Sequence, residues 1–96
     1  MNGEARARLD QLREQLDAID DELLSLVARR AAVVDEVAAL KRREGAPLHD
    51  PERERALTAR LVARRPGRLG EAAVARLVEA VLRACSPGST TEGPGH

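Results

Sequence analysis

From Leu9 onward the apolar side chains fall at Leu12, Leu16, Ile19, Leu23 and Leu26, and again at Val33, Val37 and Leu40, in alternating steps of three and four. That spacing keeps one stripe of a helix apolar, in the manner of a heptad seam. No Pro or Gly interrupts residues 4–43, where Ala, Leu, Glu and Arg dominate, so propensity and pattern agree on one long helix. At about 1.5 Å per residue such a helix reaches roughly 60 Å, whereas a compact chain of this length has a radius of gyration of about 12 Å. The rod outruns its own domain, and its seam requires a partner chain.

Gly45, Ala46 and Pro47 end this helix, and Asp50-Pro51 opens another, with Asp as the cap and Pro at the first helical position. The second helix is expected over 51–64, with Leu57 and Leu61 as its short apolar face, and Pro66-Gly67 stops it. A third periodic stretch places Val74, Leu77, Val78, Val81, Leu82 and Cys85 on one stripe, and Pro87-Gly88 is expected to terminate it. The rest of the chain is polar and rich in Gly and Pro. The organisation expected is a helical domain over 4–86 and a flexible tail over 87–96. No segment alternates as a strand, so the fold class is all-α: one long helix plus two shorter ones, paired with a second copy as an intertwined antiparallel homodimer.

Composition narrows the function. The 96 residues are 43% hydrophobic and 33% charged, enough for one domain with a modest aliphatic core, since Phe, Tyr and Trp are absent. Sixteen basic residues balance sixteen acidic ones, so no net field attracts nucleic acid or an anionic membrane, and no aromatic platform exists for stacking bases. No apolar run approaches a membrane span, the N-terminus lacks the apolar stretch of a signal peptide, and the single Cys85 has no disulfide partner. A cytoplasmic location is the expectation. No Cys/His cluster has metal spacing, because His49 and His96 stand alone, and Gly45, Gly67 and Gly70 punctuate helices rather than cradle phosphates, so neither a metal nor a cofactor is expected.

The irregularity in the seam is Arg30, where the step of four from Leu26 lands on a guanidinium instead of an aliphatic side chain. A cation buried there needs an anion. Lys41, three helical turns later, lies only about 20° away around the helix, and it is the only lysine in the chain. On spacing alone, Arg30 equally fits a side chain snorkelling from the seam edge, and Lys41 a helix-end charge favoured by the dipole. Arg13 is about 100° from Arg30 and cannot easily serve the same pocket within one chain. An antiparallel pairing of two long helices would carry it to the partner's pocket; alone it reads as a surface charge. In the run from His49 to Arg55, Asp50 is explained as a cap, while Arg53 and Glu54 can face the first helix, with Glu52 and Arg55 toward water. Cys85 on its apolar stripe reads as a core thiol.

Leu12-Arg13, Leu16-Asp17, Ile19-Asp20, Leu23-Leu24, Arg29-Arg30, Val37, Lys41, Gly45, Pro47 and Asp50-Pro51-Glu52-Arg53-Glu54 together resemble the helical chorismate mutase family, over about residues 9–85. The cationic positions, the helix break and the DPERE segment carry the likeness; the third helix matches by apolar pattern alone. The resemblance implies an intertwined dimer with two sites, each enclosed by three helices of one chain and the long helix of the other. It also implies conversion of chorismate to prephenate by a Claisen rearrangement without cofactor, in the branch leading to phenylalanine and tyrosine.

By the same resemblance, Arg13 of the neighbouring chain and Arg30 bind the substrate carboxylates, and Lys41 reaches a carboxylate and the ether oxygen. Glu54 accepts from the ring hydroxyl beside the Asp50 backbone, and Arg53 adds positive potential. Where many members carry Ser and, a turn later, Gln or Glu, this chain has Cys85 and Ser89, with Pro87 and Gly88 between. Loss of one transition-state donor costs on the order of a hundredfold in rate, so a weak enzyme is expected in isolation, with an aromatic-pathway partner enzyme as a candidate to order this end. Two other readings share the scaffold or abandon the chemistry: an isochorismate pyruvate-lyase or amino-deoxychorismate mutase, and a catalytically silent dimerisation or regulatory module.

Overall fold

The computed structural model describes residues 1–87 and contains, among them, three helices and no strand: α1 over Gly3–Glu44, α2 over Pro51–Arg64 and α3 over Glu71–Ala84. Each boundary has a local cause. Asn2 Oδ1 accepts the Ala5 N–H at 2.7 Å and starts α1. At its other end Gly45 adopts φ 69°, and the Gly45 and Ala46 N–H groups donate back to the Arg42 and Lys41 carbonyls at 3.3 and 2.8 Å. This left-handed closure suits a residue without Cβ. Asp50 Oδ1 accepts the Arg53 N–H at 3.1 Å, and Pro51 takes the first position of α2. The Arg65 guanidinium donates to the Val62 carbonyl at 2.7 Å as that helix ends.

The third helix is shorter than its periodicity suggests. It stops at Ala84 rather than at Pro87, and Cys85 and Ser86 form a closing turn in which the Ser86 hydroxyl donates to the Leu82 carbonyl at 3.0 Å. Pro87 disfavours a helical backbone at the residue before it, so its effect is felt upstream of its own position. The tail beyond Pro87, including Ser89, lies outside the described residues.

α1 runs unbroken, and the molecule extends 63 × 36 × 20 Å with a radius of gyration of 18.0 Å, well above the compact expectation of about 12 Å. α2 packs on α3, and α3 packs on the second half of α1. The buried side chains are Ala31 and Ala38 of α1, Val74 and Val78 of α3, and Cys85. Cys85 is 1% exposed, and its thiol approaches the Val27 carbonyl at 3.7 Å, which draws the end of α3 close against the α1 backbone. The small Ala31 and Ala38 permit that approach. By contrast, Leu16, Ile19 and Leu26 on the first half of α1 are 56%, 58% and 55% exposed. Among the described residues no helix is long and apolar enough to cross a membrane.

Candidate functional site

Where α1, the α1–α2 connection and the end of α3 converge, an open cleft of about 300 Å³ forms. Arg30 and Lys41 enter it from α1, Arg53 and Glu54 from the first turn of α2, and Cys85, Ser86 and Pro87 from beyond α3, with Val33, Val34, Val37, Ala38, Leu48 and Leu82 as apolar walls. The helical period delivers Arg30 and Lys41 to one side of α1, and the Asp50 cap fixes where α2 begins, hence where Arg53 and Glu54 point. An adjoining recess of about 130 Å³ is bordered by Arg30, Lys41, Asp50, Arg53 and Glu54.

The cleft is electrostatically incomplete. Among the described residues, the side chains of Arg30, Lys41 and Arg53 make no ion pair and no hydrogen bond, although Arg30 and Lys41 are half-buried. Glu54 is the one carboxylate on its wall, and it lies 3.7 Å from His49 Nδ1 at the exposed rim. Three cations facing one acid favour an anionic ligand, with guanidinium forks suited to carboxylates and a point-like ammonium between them. Among the described residues, no side chain lining the cleft is arranged as a nucleophile with an adjacent base. Among the described residues, no group of three His, Cys, Asp or Glu is placed to hold a metal ion.

The structure thus brings Arg30, Lys41, Arg53, Glu54 and Cys85 into one cleft, with Asp50 beside it and its carboxylate engaged as the α2 cap. Arg13 is not among them. It is exposed on α1, about 42 Å along the helix axis from Lys41 at the standard rise. Ser89 falls outside the described residues. Leu48 is a wall residue that the pattern of the sequence does not single out; the available signal is a lone large apolar side chain in the polar stretch between Gly45 and Pro51.

Residues 12–86 match the model of the family described as chorismate mutase type II. The chain belongs to that family. Among its relatives, the chorismate mutase of Methanocaldococcus jannaschii is 40% identical over 48 residues, which is 50% of this chain and 48% of that protein. The T-protein of Haemophilus influenzae is 40% identical over 75 residues, 78% of this chain and 19% of that protein. The chain spans less than half the length of the curated relatives it matches. Among solved structures, the chorismate mutase of Thermus thermophilus superposes with a TM-score of 0.79 at 31% identity, over 81% of this chain and 98% of that one. The all-α architecture of this chorismate mutase family member is therefore supported by both sequence and shape.

Proposed function

We propose that this chain catalyses the rearrangement of chorismate to prephenate as an antiparallel homodimer. The observation that carries the reading is the cleft with one carboxylate and three cations that have no ion pair among the described residues, in a chain of the chorismate mutase family. Chorismate is a dicarboxylate that must fold into a compact pseudo-diaxial shape before its ether bond breaks. Arg30 and Arg13 of the second copy clamp the two carboxylates and so hold the reactive conformer. Lys41 donates to the ether oxygen, where negative charge grows as the C–O bond opens and the new C–C bond closes; no external proton or electron is needed. Glu54 accepts from the ring hydroxyl beside the Asp50 backbone, which favours chorismate over isochorismate, and Arg53 deepens the positive potential.

The exposed leucines of the first half of α1 support the dimer, because they form an apolar stripe that nothing among the described residues covers. The end of α3 supports a slow reaction in isolation. Cys85 offers only a weak thiol donor, and that thiol already faces the Val27 carbonyl. A partner enzyme of the aromatic pathway that orders this end would raise the rate, and the cytoplasm is where such a partner and a free thiol are expected.

The test is steady-state prephenate formation by the purified chain, alone and with Pro87→Ala, Gly88→Ala and Ser89→Gln combined to extend α3. Slow turnover that rises on this repair is the expected result. A chain that forms no prephenate and does not bind a bicyclic transition-state analogue would be a silent scaffold, and the proposal would be wrong.

A further inference from the structure

Charge is sorted along this neutral chain. Between Asp10 and Glu22, α1 carries six carboxylates and Arg13 alone; between Arg60 and Arg68 there are four arginines and no acid. All of these side chains are exposed. Among the described residues none of the six carboxylates has an ion pair or a side-chain hydrogen bond, and neither do Arg60, Arg64 and Arg68. Arg65 reaches Glu71 at 3.5 Å and the Val62 carbonyl.

The basic segment borders a second cleft, of about 570 Å³, between α2 and α3. Its floor is aliphatic, including Leu57, Leu61, Val78 and Val81, and Arg64 and Arg65 stand at its edge. The acidic segment has the complementary form. Its stripe of Leu12, Leu16 and Ile19 has Asp20 at its flank, about 70° from the centre of the stripe, and Asp17 about 60° farther round on the same side, by the 100° step of the helix. The two surfaces cannot meet within one chain, because α1 is unbroken. Arg30, its residue at the cleft, lies about 15 Å along the axis from Asp20 and more from the acids before it.

We propose that the acidic first half of α1 is held by the Arg60–Arg68 corner of a second copy, so that this charge pairing selects the antiparallel alignment and makes assembly sensitive to ionic strength. The inference rests on the dimer put forward above and adds the groups that determine its orientation. A parallel alignment would leave the acidic halves side by side and the basic corners unmatched. Rim charges of this kind act on orientation and partner choice more than on raw affinity, and salt screens them. The apolar stripe responds to salt in the opposite sense or not at all, so the direction of the salt effect separates the two contributions.

The experiment measures self-association by sedimentation equilibrium in the unmodified chain and in two charge-reversed ones, Asp17→Lys with Asp20→Lys, and Arg60→Glu with Arg64→Glu. None of these four side chains has an ion pair within the described residues, so reversal breaks no such contact inside the chain. The dimer dissociation constant of the unmodified chain is expected to rise about tenfold or more between about 0.05 and 0.5 M NaCl. Each reversed chain alone should associate at least about a hundredfold more weakly, and an equimolar mixture should recover a heterodimer in which both charge contacts are restored. Reversed chains that dimerise like the parent, with a dissociation constant insensitive to salt, would overturn the charge pairing and leave the dimer standing. A parent chain that is monomeric at every concentration would overturn the dimer itself. The salt response of the unmodified chain decides the matter even where a reversed chain folds poorly.

Discussion

The two halves of α1 share one helix and one apolar period, yet only the second packs against other elements of the chain, and even there the seam residues Val33, Val37 and Leu40 stay 55%, 45% and 49% exposed. In the second half Ala31 and Ala38 are buried beneath α3, and Arg30 and Lys41 border a cleft. In the first half Leu16, Ile19, Leu23 and Leu26 are each about half exposed, with none of the described residues over them. Length explains the division. α2 and α3 have 14 residues each, about 21 Å of helix, and together they return over only part of a 42-residue rod. Periodicity therefore specifies a seam that stays open along both halves, while the reach of the other elements decides where a second face of the rod, at Ala31 and Ala38, is buried. Side-chain size differs accordingly: small residues where α3 approaches, large ones where the surface is left open.

Arg30→Ala gives the largest expected effect. Prephenate formation should fall by about a hundredfold or more, because a pre-placed charge is lost from the cleft. The thermal midpoint should hold or rise, since a half-buried cation with no partner among the described residues is removed. Retained turnover would separate the cleft from the chemistry. Leu16→Asp with Ile19→Asp probes the open half: each side chain is worth about 1.5–3 kcal/mol when fully buried, so sedimentation should show loss of the dimer, and activity should fall with it. If the first half faces only water, both measurements will be unchanged.

Ala38→Leu tests the covered half by overpacking it, and chemical denaturation should show a loss of about 1–3 kcal/mol. The matching Ala18→Leu, at an exposed position on the first half, should stay within about 0.5 kcal/mol of the parent. Asp50→Ala touches neither half of α1, and it should cost about 1 kcal/mol of stability from the lost α2 cap, seen as a lower thermal midpoint.

Much of the architecture is legible in the sequence because its determinants are local. Gly45, Asp50-Pro51 and Pro66-Gly67 mark breaks within a residue or two of where they act, and α2 spans 51–64 as they indicate. The end of α3 is less legible, because Pro87 acts on the residues before it and the Ser86 hydroxyl closes the turn onto Leu82. Which apolar residues become core is harder still to read. Leu77 lies on the periodic stripe yet is 51% exposed, whereas Ala31 and Ala38, outside the seam of large side chains, are buried. That distinction depends on how closely α3 approaches α1, a tertiary quantity. Within the cleft, Arg30 and Lys41 are visible as a break in pattern and a lone lysine, and Arg53 and Glu54 as a dense polar run. Leu48 carries too weak a signal because its place depends on how the connection folds back.

The sealed position of Cys85 makes the molecule its own clock. A thiol pressed against the Val27 carbonyl reacts with an alkylating reagent only while the end of α3 has lifted off α1. The rate of covalent labelling in native buffer therefore reports the population of that lifted state when reclosing outpaces alkylation, and the opening rate itself at high reagent, without any introduced dye. Because the same turn borders the cleft, occupancy by an anionic guest and the lifting of this end are coupled quantities.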